Sequence, residues 1–385
     1  MTPLRPLLAA LTVGVLALAG CAAADTPTES GGLETLKIGL IDPTTGPVSW
    51  AGIPISQGAQ TAVDEINDSG FLDGYTLELT VSDSEGDPAK AIAQYRGFES
   101  DGYLGVVCCT TSSEAGSFAQ LAEAAKMPTV ANGATLAGLA APPYLYRTVV
   151  LPAAPGGMYE QVVQAVVKQE KIKTAVVVQT ADNEGNVADA KRWTDDLTAE
   201  GVDIAEVVDV FGTDTDFTVP ATKISSLDPD LVVFSTQGPA SATMIKLLRE
   251  RDYTGLTTSS YGVSVPSVWE VGGEALAGTI FPVPFSPLGE SDRTKAFVKA
   301  YTDQWDATPD LYSAQGYNAV WLLAQGIKAA GADVTRESLA EALQGIDEFE
   351  LASGNVVKMV DGQATLADQV LIAQWNADGT QSLWP

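Results

Sequence analysis

The 385-residue chain contains no histidine, only three cysteines, and 21 Lys and Arg against 49 Asp and Glu, for a formal charge of −28. Without imidazole there is no His-based catalytic triad, no imidazole general base and no His metal ligand. The shortage of cations argues against non-specific nucleic-acid binding and against docking on anionic lipid through a basic patch. The sequence also lacks a Cys-x-x-Cys pair, a Walker loop, a Gly-x-Gly-x-x-Gly after a strand, a Gly-x-Ser-x-Gly elbow and any zinc-ligand spacing. Acidic neighbours such as Asp195 and Asp196 fall on a helix-patterned stretch and read as solvated. Nothing selects a carboxylate pair for glycoside hydrolysis. No catalytic residue, metal or cofactor is expected.

What is present is globular: 45% apolar residues with 36 Gly and 21 Pro, in a length that favours two lobes of about 150–180 residues. Arg5 is the one charged residue before Asp25, and 7–19 is an apolar run too short to span a bilayer comfortably. It reads as the core of a signal peptide, 1–20. The run ends in Leu18-Ala19-Gly20-Cys21, which resembles a bacterial lipobox and makes Cys21 the candidate for lipidation; the alternative is an ordinary secretory leader with an incidental cysteine. Residues 21–36 read as a flexible tether. Two acyl chains would hold such a tether stably on a membrane.

From residue 36 onward, short β-rich apolar runs alternate with helical spacing. Strands are expected at 36–41, 77–81, 103–107, 129–131 and 144–150, with helices at 58–66, 89–98 and 118–125. A second series places strands at 174–179, 204–210, 231–235 and 256–260, with helices at 158–167, 186–199, 219–227 and 241–249. Near-continuous apolar strands separated by amphipathic helices indicate parallel sheets covered on both faces. Two such series indicate two doubly wound α/β lobes. The Pro-rich stretch 281–287 breaks the rhythm and is a place for the chain to cross between lobes. Helices at 292–305, 312–330 and 336–344 then rejoin one lobe, and strands around 355–375 close the fold.

The run Lys37-Ile38-Gly39-Leu40-Ile41, with Thr45-Gly46-Pro47, Gly58-Ala59, Ala62-Val63-Asp64-Glu65-Ile66-Asn67 and Gly74, resembles the opening of type I periplasmic-binding proteins. The branch it is most similar to is the leucine/isoleucine/valine-binding family of ABC-transporter receptors. Asp83, Asp87-Pro88, Pro128, Gly133-Ala134-Thr135, Tyr146-Arg147-Thr148, Asp216-Phe217, Pro229-Asp230-Leu231-Val232, Ala277-Gly278 and Gly316-Tyr317-Asn318-Ala319 extend the resemblance over roughly the whole mature chain. It implies two doubly wound parallel-sheet lobes joined by three crossover strands, near 150, 284 and 357, with 37–150 and 285–356 as lobe 1 and 151–284 and 357–385 as lobe 2. Such a protein is a monomeric receptor that closes its lobes over a small solute and hands it to permease subunits.

Ligands of doubly wound sheets sit beyond the carboxyl ends of the strands. The turn after 103–107 carries Thr111 and Glu114 at capping-box spacing, which makes Ser112 and Ser113 the first helical residues. Free amides and hydroxyls at that start suit a carboxylate; the competing reading is a cap that serves only its own helix. The resemblance aligns Ser112 with the family's ligand serine, and Gly133 and Thr135 with a loop that contacts an amino acid's ammonium and carboxylate. In the other lobe it brings Glu184, Gln237 and Tyr261 to ligand-contact positions. Tyr261 stands where amino-acid-binding relatives generally carry an acid for the ammonium, so Glu184 or a carbonyl would have to serve, or the solute has no amine. Trp50 is either an aromatic wall of the cleft or a core residue.

Cys108 and Cys109 are adjacent, so they could form a strained vicinal disulfide or stay as buried thiols. The leading function is an extracytoplasmic, lipid-anchored solute-binding protein of an ABC importer, taking a small carboxylate-bearing solute, with branched-chain or apolar amino acids favoured. The alternatives are a sensory receptor of the same fold for an amide or an aromatic or aliphatic acid, and a secreted hydrolase.

Overall fold

A computed structural model describes residues 33–365 and 371–384; Cys21 and the rest of the leader lie outside the described residues. The first half runs β1 (Glu34–Asp42), α1 (Ser49–Ser69), β2 (Tyr75–Asp83), α2 (Pro88–Ser100), β3 (Gly105–Cys108), α3 (Ser112–Ala115), α4 (Phe118–Ala125), β4 (Thr129–Ala131) and β5 (Leu145–Arg147). The second series is α5 (Met158–Glu170), β6 (Thr174–Thr180), α6 (Glu184–Ala199), β7 (Asp203–Val210), α7 (Thr218–Leu227), β8 (Leu231–Ser235), α8 (Gly238–Arg249), β9 (Leu256–Ser259), α9 (Pro266–Gly272) and β10 (Ile280–Val283). The chain then forms α10 (Asp292–Trp305), α11 (Leu311–Ala330), α12 (Arg336–Gln344), β11 (Glu348–Glu350), β12 (Val356–Val360), β13 (Gln363–Thr365), β14 (Leu371–Trp375) and β15 (Gln381–Leu383).

Two sheets result. One has the order β11-β12-β13-β5-β4-β3-β1-β2, the other β15-β14-β10-β9-β8-β6-β7. Each has a parallel core in the doubly wound 2-1-3-4-5 order. The expected all-parallel character stops at the edges, where β11, β12, β14 and β15 pair antiparallel.

Local causes are visible in the sequence. Every residue of β8 is buried, as a central strand covered by helices on both faces requires. Helix α1 buries Ala51, Ile55, Ala59, Ala62, Val63 and Ile66, a stripe at helical spacing. Asp87 caps α2 by accepting from the amides of Ala89 and Lys90, with Pro88 at the first helical position.

The chain passes from the first sheet to the second after β5 and returns after β10. The third crossing differs from the expected boundary at 356/357. Strands β12 and β13 belong to the first sheet, where β13 pairs with β5 at Gln363 and Arg147. The Gln363 side chain accepts from Arg147 Nε and donates to the Val149 carbonyl (2.8 Å), which ties β13 to that sheet. Thr365, at the end of β13, and Leu371, at the start of β14, thus stand in different sheets.

Candidate functional site

At the carboxyl end of β3, Thr111 closes a capping box with Glu114, so Ser112 begins α3 as the spacing predicts. Both Glu114 oxygens are engaged: Oε1 accepts from Ser84 Oγ (2.5 Å), and Oε2 accepts from the Thr111 amide (3.2 Å) and hydroxyl (2.8 Å). Buried Asp42, at the end of β1, accepts from Thr110 Oγ1 and Asn132 Nδ2 (both 2.5 Å). One carboxyl thus ties the serine loop to the loop after β4. Burial holds the Asp42 carboxyl well above the usual carboxylate range.

Gly133 lies so close to Thr110 that a Cβ there would sit 2.9 Å from its Cα and carbonyl oxygen. Arg147 supports the same loop from behind, donating to the carbonyls of Ala134 (3.2 Å) and Leu136 (2.6 Å). Burial pulls its guanidinium down to about 10.

These loops face the second sheet across a cavity of about 70 Å³. Ser112, Gly133, Thr135, Trp50, Gln237 and Tyr261 all line it. Trp50 sits in the first turn of α1, edge-on to Tyr312 with ring centroids 5.2 Å apart. The two lobes meet closely here: a Cβ on Gly185 of α6 would fall 2.4 Å from Ser112 Oγ.

Two expected residues are elsewhere. Ser113 is exposed and lines an outer vestibule shared with Glu85, Asp182 and Asp214. One residue along the helix is a turn of about 100°, which carries it away from Ser112. Glu184 is exposed on the first turn of α6 and does not line the cavity, so it is displaced as the internal acid. The carboxyl that does line the cavity is Asp189, about one and a half turns further along α6 and 4% exposed. Tyr159 OH of α5 donates to Asp189 Oδ2 (2.9 Å), and Tyr159 stacks on Trp193 with centroids 4.4 Å apart. Burial pushes Asp189 up to about 7. Asn183 Oδ1 caps α6 by accepting from the Asn186 backbone amide (3.1 Å). The Asn186 side-chain Oδ1 and Trp50 Nε1 are buried without a partner among the described residues.

In this structure Cys108 and Cys109 are buried free thiols. Burial raises both thiol pKa values, which suits packing rather than reactivity. Among the described residues no group of His, Cys, Asp and Glu could hold a metal ion, and no helix is long and apolar enough to cross a membrane.

Residues 35–380 match the periplasmic binding protein family. The chain belongs to that family. Its members are solute-binding proteins. A Leu/Ile/Val-binding protein of Rhizobium johnstonii is 30% identical over 349 residues, which cover 89% of this chain and 92% of that protein. Among solved structures, the leucine-binding protein of Thermotoga maritima superposes with a TM-score of 0.82 at 23% identity, covering 91% of this chain and 98% of that one. The branched-chain amino acid transporter substrate-binding protein of Streptococcus pneumoniae, in complex with isoleucine, gives 0.80 at 22% identity, covering 91% and 99%.

Proposed function

We propose that the chain is the extracytoplasmic solute-binding component of an ABC importer, anchored through Cys21. It closes two lobes over a small carboxylate-bearing solute, with an apolar or branched-chain α-amino acid favoured, and delivers it to a membrane permease. The observation that carries this reading is the cavity itself, which lies at the carboxyl ends of both parallel cores and is walled by Ser112, Gly133 and Thr135 on one side and Gln237 and Tyr261 on the other. The hydroxyls of Ser112 and Thr135 and the Gly133 amide suit a carboxylate without an arginine or a metal. Closure follows when the solute binds the closed arrangement better than the open one.

A second reading, a ligand sensor of the same fold for an amide or an aromatic acid, draws on one feature. Trp50, Tyr159, Tyr261 and Tyr312 give the cavity four aromatic walls. Thermal unfolding of the soluble chain starting after Cys21, against amino acids, small amides and aromatic acids, separates the two solute classes. A solute at 100 times its Kd adds about 2.7 kcal/mol of stability. Stabilisation by an α-amino acid that is lost in Thr135→Ala supports the importer reading. Stabilisation only by amides or aromatic acids overturns the α-amino-acid assignment.

A further inference from the structure

We infer that Asp189, oriented by Tyr159, binds the ammonium group of the solute and so takes the place that Tyr261 cannot fill; this rests on the reading of the chain as an amino-acid-binding protein. Among the described residues lining the cavity, Asp189 is the one with a formally charged side chain, and no lysine or arginine lines it. A buried carboxyl with no cation beside it is costly to ionise unless a ligand brings the positive charge. Tyr159 satisfies Oδ2 and holds the carboxyl in place, while Oδ1 accepts no hydrogen bond among the described residues. Asn186 lies one turn earlier on α6, also lines the cavity, and its Oδ1 is buried and unpartnered. Two free acceptors one turn apart on one helix call for a group with several N–H donors, which an ammonium is and a carboxylate is not.

The placement also gives the lobes a shared task. Carboxylate donors come from α3 and the loop after β4, and the ammonium acceptors come from α6. A zwitterion between them bridges both lobes and favours the closed form, whereas a monoanion would set a second negative charge beside Asp189.

The ionisable groups around this carboxyl are few. Tyr159 of α5 touches it, and Tyr261 and Tyr312 face the same cavity; burial raises all three phenols, which stay neutral between pH 5 and 9. Glu114 of α3 is turned to Ser84 and Thr111. Arg192 of α6 pairs with Glu160 and Asp196, and Lys191 with Asp195, while Glu184 is exposed. On β7, Asp209 accepts from Gln179, Glu206 pairs with Lys223, and Asp203 is exposed. Strands β6 and β8 contribute no Asp, Glu, Lys or Arg.

The test is calorimetric titration at pH 5.5 and 8.5 of the wild type, Asp189→Asn and Tyr159→Phe. The probes are alanine, valine and leucine, each beside the acid that lacks its amine: propionate, 3-methylbutanoate and 4-methylpentanoate. With Asp189 titrating near 7, wild-type affinity for the amino acids should rise about 30-fold between the two pH values, following the ionised fraction. Asp189→Asn should lose at least tenfold at pH 8.5 and show no such rise, while binding the amine-free acids no worse than the wild type. Tyr159→Phe should keep the rise with its midpoint moved to higher pH, because the hydrogen bond it loses favours the carboxylate; this variant keeps the acid itself should Asp189→Asn fold poorly. Amino acids that bind the wild type and Asp189→Asn equally at both pH values overturn the role of Asp189 and leave the amino-acid reading standing. Binding of the amine-free acids only, or of no probe, overturns both.

Discussion

Replacing Asp189 by asparagine should make the solute-free protein more stable at alkaline pH. The Asp189 carboxyl titrates at 3.8 without perturbation and at about 7 in the fold, because burial penalises the charged form. The folded chain therefore holds this proton more tightly than the unfolded chain does. The contribution is complete below pH 4 and is lost as the pH rises through 7. A gap of about three pH units at 1.36 kcal/mol each amounts to about 4 kcal/mol. Asparagine has nearly the same shape, can accept from Tyr159 and never ionises. Urea unfolding of both proteins from pH 4 to 9 without solute should give stabilities within about 1 kcal/mol near pH 4.5. The difference should then grow in favour of the variant to about 4 kcal/mol at pH 9. Asp42 and Asp310 are also raised by burial, but they are common to both proteins and cancel in the difference. A difference that stays flat across this range would refute the argument that Asp189 is a buried, uncompensated acid.

Gly185→Ala should leave unfolding unchanged or slightly improved, since alanine favours the helix by up to about 1 kcal/mol, yet weaken solute binding at least tenfold. Its methyl would lie 2.4 Å from Ser112 Oγ across the cleft, and calorimetry showing unaltered affinity would contradict that close approach. Arg147→Ala removes the donors to the carbonyls of Ala134 and Leu136 and to Gln363. It should cost about 3 kcal/mol or more in denaturant unfolding, and a loss below about 1 kcal/mol would mean that the loop supports itself. In a chain starting after Cys21, a thiol reagent at pH 8 should find no reactive cysteine in the native protein and two after unfolding; none after unfolding would restore the vicinal disulfide.

The parallel cores were legible because a doubly covered strand must be apolar throughout, as β8 is, and because amphipathic stripes such as that of α1 have a fixed period. The edge strands were less so. Strands β11 to β13 are three to five residues long, β11 and β12 with exposed positions, and the place of β13 depends on side-chain contacts such as Arg147 to Gln363, which join residues more than 200 positions apart. In the site, the Thr111–Glu114 spacing located the start of α3 but did not decide whether Ser112 or Ser113 turns inward. Asp189 was hidden by composition: in a chain with 49 acids, one more acid on a helix reads as solvated. The usable signal was its position with Gly185, Ala190, Trp193 and Leu197 on the buried stripe of α6, whose other acid, Asp196, is paired with Arg192.

The most direct measurement is a crystal structure of the protein with the α-amino acid that stabilises it most. The account predicts the carboxylate within hydrogen-bond distance of the Ser112 hydroxyl, the Gly133 amide and the Thr135 hydroxyl, with the amine nitrogen on Asp189 Oδ1. A solute bound outside this cavity, or one with its carboxylate turned toward Asp189, would contradict it.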